Sequence, residues 1–176
     1  MSNRIHIVVL AGFAVLAGSA FVSTAQAGDR AAQLKRGEYV LSTSGCNDCH
    51  SPGGFEKGPG VPKADWLTGL PVGFQGPWGT TYPANLRLTV SSMSESQWVQ
   101  FARQERRPPM PWYSLNAMTD ADLKAIYAYI RSLGPAGKPA PAYVPPGGRV
   151  DTPYFVFVPT MDSKQARVAT PAHATK

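Results

Sequence analysis

The only two cysteines of this 176-residue chain stand three positions apart, in Cys46-Asn47-Asp48-Cys49-His50. Four chemistries use such a pair, and three of them fit poorly. A disulfide between the two would close a very small loop and remove little entropy from the unfolded chain. A thioredoxin-like couple needs a preceding strand in a βαβ pattern, and neither is present. A zinc centre takes four ligands, and two thiols with one adjacent imidazole leave the set short. Covalent haem attachment fits. Thiols two residues apart can reach the two vinyl groups, and the next residue sets an imidazole against the iron. The motif therefore predicts one haem c, held by Cys46 and Cys49, with His50 as axial ligand to its iron. His6 and His173, the only other histidines, lie near the two ends of the chain.

The iron has a second axial position, for which a methionine thioether is the obvious candidate. After Met1 the chain offers Met93, Met110, Met118 and Met161. Ser94-Glu95-Ser96-Gln97 reads as a capping box, which makes Met93 and Trp98 the two halves of a hydrophobic staple. Thr119-Asp120-Ala121-Asp122 reads as a second helix start with an acidic first turn, and Met118 with Leu123 as a second staple. Met161 stands in a polar tail with nothing obvious to hold it. Met110 lies in Arg107-Pro108-Pro109-Met110-Pro111-Trp112, a loop stiffened by three prolines. No packing role follows from that loop, and rigidity suits a weak thioether ligand. Met110 is the expected distal ligand, Met118 comes next, and an open or water-bound site is the remaining alternative.

These groups need elements to position them. The length suits one domain, and 43% hydrophobic residues supply a core, whereas 17 Gly and 17 Pro point to long irregular loops around a helical centre. A helix is expected from Asp29, as N-cap, to about Ser44, running straight into the motif. From Ser51 to Ser92, six prolines and eight glycines predict a long loop that wraps the haem. Its Trp66, Phe74, Trp78 and Tyr82 read equally well as haem-pocket walls or as ordinary packing. Helices follow from Ser94 to about Gln104 and from Thr119 to Leu133. The second carries the apolar stripe Leu123, Ile126, Tyr127, Ile130 and Leu133, and Gly134-Pro135 ends it. Residues 1–27 read as a cleaved export leader: Arg4, an apolar run, then Ala25-Gln26-Ala27. An uncleaved anchor is the alternative. Residues 28–134 form the expected domain, and 135–176 a Pro-rich extension, disordered from Thr160 onward. Within the extension, Tyr154-Phe155-Val156-Phe157-Val158 is β-prone, either a strap on the domain or an exposed docking segment.

The order helix, CxxCH, long loop, helix, Met loop, helix resembles the class I cytochrome c fold, an all-α architecture. Trp78-Gly79-Thr80-Thr81-Tyr82-Pro83-Ala84-Asn85-Leu86 is similar to the (F/W)GTxYxxN(I/L)T stretch of cytochrome c domains associated with periplasmic dehydrogenases. Met110-Pro111-Trp112, Thr119-Asp120-Ala121-Asp122-Leu123 and Ala128-Tyr129-Ile130 are similar to that group's Met-Pro-aromatic, TDxDL and AYL strings. The resemblance implies Met110 as distal ligand, and close packing of the Gly37 region on Tyr129 where the first and last helices cross. Arg87 departs from it, standing where the group usually has Thr.

Filled axial positions imply an electron carrier rather than an enzyme, and the expected export leader implies the periplasm. A haem enzyme or gas-binding protein with an open sixth site is the rival reading. The sequence leaves open whether the carrier diffuses freely or is a dehydrogenase or oxidase subunit. Expected partners are redox proteins: a periplasmic dehydrogenase, an oxidase or another cytochrome. No nucleic acid is expected, and no membrane span after leader cleavage. The net charge of +6 suits an acidic partner surface or mere solubility. Arg103, Arg106 and Arg107 beside Met110 read either as a docking patch or as a solvated helix end.

Overall fold

The computed structural model describes residues 27–160. The expected leader up to residue 26, with His6, and the tail from Met161 onward, with His173, lie outside them.

Seven helices and three short strands make up the described chain. Helix α1 occupies residues 27–43. The backbone is already helical at Ala27 and Gly28, so Asp29 lies inside the helix and does not cap it. Gly45, at φ 67°, then starts the short α2, Cys46–His50. Short turns follow, among them α3, Gly54–Lys57. Strands β1, Gly73–Gly76, and β2, Gly79–Thr81, form an antiparallel hairpin. Helices α4, Leu86–Ser91, α5, Glu95–Ala102, α6, Trp112–Ala117, and α7, Asp120–Leu133, complete the domain. Strand β3, Tyr154–Val156, pairs parallel with β1 and gives the sheet order β2-β1-β3.

The expected helix starts are satisfied as their side chains require. Ser94 accepts from the Gln97 N–H while the Gln97 side chain accepts from the Ser94 N–H, a complete capping box. Thr119 accepts from Asp122 N–H at the start of α7, and Gly134, at φ 70°, ends that helix. The apolar faces of α1, α4, α5 and α7 meet in one core containing Leu41, Val90, Trp98, Leu123, Ile126, Tyr129 and Ile130. Leu41, Leu123 and Ile130 are each at most 1% exposed, and each such burial contributes roughly 2 kcal/mol. The Trp98 indole N–H donates to Leu123 O at 2.9 Å, so even the polar edge of that ring is accommodated.

Helices α1 and α7 touch at Gly37. A Cβ there would stand 2.0 Å from Ala125 O and 2.8 Å from Tyr129 Cβ. Only a residue without a side chain allows this approach, as the resemblance implied.

The stretch from Ser51 to Ser92 is more ordered than its prolines and glycines suggested, because β1, β2 and α4 lie within it. Helix α4 is held by tertiary contacts as well as by its cap. Asn85 accepts from Leu88 N–H at 3.0 Å, and Val90 is fully buried. Arg87 is only 8% exposed. Its guanidinium donates to Gly134 O at 2.5 Å, to Ala64 O at 2.8 Å and to Leu133 O. The departure noticed in the sequence thus closes the carboxyl end of α7, where the helix leaves carbonyls without internal partners.

Candidate functional site

Helix α2 is one turn and a half long, and its surroundings fix it on both sides. Ser51, immediately after it, is fully buried. Its hydroxyl donates to Asn47 Oδ1 and accepts from Leu67 N–H, both at 2.8 Å. Gly69 N–H donates to the His50 carbonyl at 2.7 Å. The loop after the motif is therefore folded back against it.

Within α2 the two cysteines are free thiols. Cys46 packs against the core, and burial, with a smaller contribution from the Asp48 carboxylate, pushes its thiol up to about 12. Cys49 is half-buried and its thiol is raised for the same two reasons. His50 is 8% exposed, and burial lowers its pKa against a smaller opposing effect of the Ala84 carbonyl. The imidazole is therefore neutral near pH 7.

The proton on that neutral ring can be located. His50 Nδ1 lies 2.7 Å from Ala84 O, and a carbonyl oxygen can only accept. Nδ1 must carry the hydrogen, so Nε2 keeps its lone pair. An imidazole oriented by a backbone carbonyl with the other nitrogen free is the usual arrangement of a metal-binding histidine. Among the described residues no three or more His, Cys, Asp or Glu side chains come together as a metal site, so the zinc reading finds no further ligands. A haem fits this donor set: two free thiols two residues apart and one neutral imidazole with a directed lone pair.

The four candidate walls all have partners within the protein. Trp66 packs against Tyr129, ring centroids 6.4 Å apart, and donates from Nε1 to Val61 O. Phe74 is 2% exposed and packs against Phe155 and Phe157 at 5.7 and 5.4 Å. Trp78 packs against Phe157, and the Tyr82 hydroxyl is 2.7 Å from Thr152 Oγ1.

The two leading methionines differ as their settings suggested. Met118 ends α6 and packs against the core, while its carbonyl accepts from Arg103 Nη2 at 2.9 Å. Met110 is half-buried in a loop outside that core. Thr81 Oγ1 donates to Pro108 O of this loop at 2.9 Å. Thr81 is three residues before Ala84, whose carbonyl orients His50. One short segment thus braces both the His50 and the Met110 sides.

Sequence reasoning missed the Ala84 carbonyl, Thr81 and the role of Arg87. The similarity of Trp78–Leu86 to a known string pointed at the right segment without showing what its atoms do. The three neighbouring arginines separate in the structure. Arg103 is tied inward, donating to Asn116 O at 2.5 Å and forming an ion pair with Asp120 at 2.7 Å. Arg106 stacks over Phe101 at 4.0 Å and Arg107 over Tyr143 at 4.0 Å, and among the described residues neither forms an ion pair.

Among the described residues no helix is long and apolar enough to cross a membrane. A family model described as Cytochrome c matches residues 34–134. The chain is 27% identical over 152 residues to the cytochrome c subunit of alcohol dehydrogenase (quinone) from Gluconacetobacter polyoxogenes, covering 79% of this chain and 30% of that protein. It is 31% identical over 126 residues to the gluconate 2-dehydrogenase cytochrome c subunit of Pantoea cypripedii, covering 65% of this chain and 26% of that protein. With a subunit of nicotinate dehydrogenase from Pseudomonas putida it shares 29% identity over 123 residues, 64% of this chain and 10% of that protein. The chain spans less than a third of the length of each of these curated relatives. No solved structure matches it.

Proposed function

The chain belongs to the cytochrome c family, and on that basis we propose that it is a one-electron carrier with a single haem c on Cys46 and Cys49, ligated by His50 and Met110. The observation that carries the reading is the 2.7 Å contact between His50 Nδ1 and Ala84 O, which leaves Nε2 as the only ring nitrogen able to bind iron. When bound, the haem iron supplies reversible ferric–ferrous chemistry, storing and releasing one electron. The protein's part is to hold the ligands. Ala84 O fixes the tautomer and orientation of His50, burial keeps the imidazole uncharged, and the two thiols tether the ring. A Met110 thioether favours ferrous iron relative to a second imidazole, so the potential lies toward the positive side for haem proteins.

The three relatives are, by name, subunits of dehydrogenases, and this supports a dehydrogenase, an oxidase or another cytochrome as redox partner. The leader-like start supports work in the periplasm. Of the three arginines, Arg107 is exposed and Arg106 half-buried, the latter donating to Phe101 O and Gln104 Oε1. Neither forms an ion pair among the described residues, which favours them for docking over Arg103, engaged by Asp120 and three main-chain carbonyls. The test is haem retention. Purified protein should keep its haem through denaturation on a gel, and Cys46→Ala with Cys49→Ala should abolish the stain. Haem lost from the denatured native protein would sink the assignment.

A further inference from the structure

The Pro-rich segment after α7 has no part in the ligand set, yet it touches the Met110 side of the molecule at a defined place. It leaves α7 held by Asn85, whose Nδ2 donates to Ala136 O at 2.8 Å and to Lys138 O at 3.1 Å. It then runs along the free edge of β2. Val144 exchanges both main-chain hydrogen bonds with Thr80, at 2.8 and 3.0 Å. The Tyr143 hydroxyl donates to Trp78 O at 2.8 Å. This approach shapes the hairpin turn itself. Gly79 has φ +93°, and a Cβ there would lie 2.4 Å from Val144 O and 3.0 Å from the Tyr143 ring. Further on, the Tyr82 hydroxyl meets Thr152 at 2.7 Å, Gly73 N–H donates to Pro153 O at 2.8 Å, and β3 takes the other edge of β1. Both edges of the hairpin are therefore gripped by the same segment.

The Met110 loop rests on this assembly at two points. Thr81 holds Pro108 O from β2, and the Arg107 guanidinium lies 4.0 Å from the centroid of the Tyr143 ring. Tyr143 is thus pinned at its hydroxyl end and presents its face to a residue three positions before Met110. A planar guanidinium on an aromatic face is attracted to the ring quadrupole, and the contact restrains the loop where its prolines do not.

We propose that the segment after α7 is a clasp on the Met110 loop, with Tyr143 as a positioning residue and Arg107 as the group it holds. The proposal rests on Met110 being the distal ligand. In that case a ligand from solution reaches ferric iron only after the thioether leaves, so the clasp sets the rate of that exchange. Thr81 and Tyr143 restrain the loop in parallel, and removing one leaves the other.

The test uses the ferric holoprotein with imidazole as entering ligand, followed by its absorption spectrum. Tyr143→Ala removes both the ring and its anchor and should speed imidazole binding by about tenfold. Arg107→Gln keeps loop length and should give about threefold. Tyr143→Phe keeps the ring but frees it from Trp78 O, and should fall between Arg107→Gln and wild type. The urea midpoint of each variant is measured alongside. Wild-type exchange rates in Arg107→Gln and Tyr143→Ala would overturn the clasp. So would rate increases that merely track a lower unfolding midpoint, because the segment would then be acting on the whole fold. A Met110→Ala protein that keeps the near-infrared sulfur-to-iron band would instead overturn the ligand assignment and, with it, the clasp's target.

Discussion

Arg87 offers the most direct check that the end of α7 is built as described. Its guanidinium donates to three main-chain carbonyls, Gly134, Leu133 and Ala64, and is 8% exposed. A hydrogen bond from a charged donor contributes about 1.5 kcal/mol at the low end of its range, so three give about 4.5 kcal/mol. Removing the group also relieves the cost of burying it, on the order of 1–2 kcal/mol after its bonds are counted. The expected net loss for Arg87→Met is therefore about 3 kcal/mol. Lysine has one compact ammonium and cannot reach three carbonyls in a fork, so Arg87→Lys should recover less than half of that. Urea unfolding of the holoprotein, followed by far-ultraviolet circular dichroism, reads the difference. With a slope of about 2 kcal/mol/M, the Arg87→Met midpoint should fall by about 1.5 M at unchanged slope. Because the acceptors are carbonyls and not carboxylates, added salt should change the gap little. A midpoint within about 0.2 M of wild type would refute the reasoning.

Three further outcomes are expected. Met110→Ala should remove the ferric near-infrared band and open the iron to carbon monoxide, whereas Met118→Ala should keep the band and lose stability through its core contacts. Arg106→Glu, which leaves the Arg107–Tyr143 contact in place, should slow electron transfer to an acidic partner at low ionic strength and little at high; rates equal to wild type at every salt concentration would move docking to another face. The Arg36 guanidinium, hydrogen-bonded at 2.7 Å, holds the Asp122 carboxyl below its ordinary range. Its stabilisation is complete above the unfolded carboxylate pKa of about 3.9 and is lost as pH falls through the lower folded value. The stability gap between wild type and Asp122→Asn should then narrow on acidification from about pH 5, and a gap constant with pH would exclude the pair as its source.

The parts of this fold legible in the sequence are those decided by neighbours along the chain. Cys46, Cys49 and His50 declare themselves because the chemistry fixes both types and spacing. Ser94 with Gln97, and Thr119, mark helix starts because a cap acts over three residues. The features that escaped are joined across long stretches. Helix α4 hides in a Gly/Pro-rich segment because Arg87 and Val90 find their partners in other elements. Tyr154–Val156 looks like a strand, but nothing near it says that β1 is its neighbour. The Ala84 carbonyl could not be seen at all, since a backbone oxygen carries no residue type. Asp29 misled for the opposite reason: a good cap residue signals a helix start only if the helix is not already under way.

The crossing of α1 and α7 at Gly37 has a kinetic consequence. Arg36 and Asp122, which flank it, are 86 positions apart, and closing a loop of that size costs about 4 kcal/mol before any contact repays it. That closure encloses the motif, the hairpin and α4 to α6, while the clasp lies outside it. A side chain at Gly37 would block the contact that repays this cost, so Gly37→Ala is expected to slow folding, which stopped-flow refolding checks. One missing side chain thus decides whether the chain can recover the entropy that this closure removes.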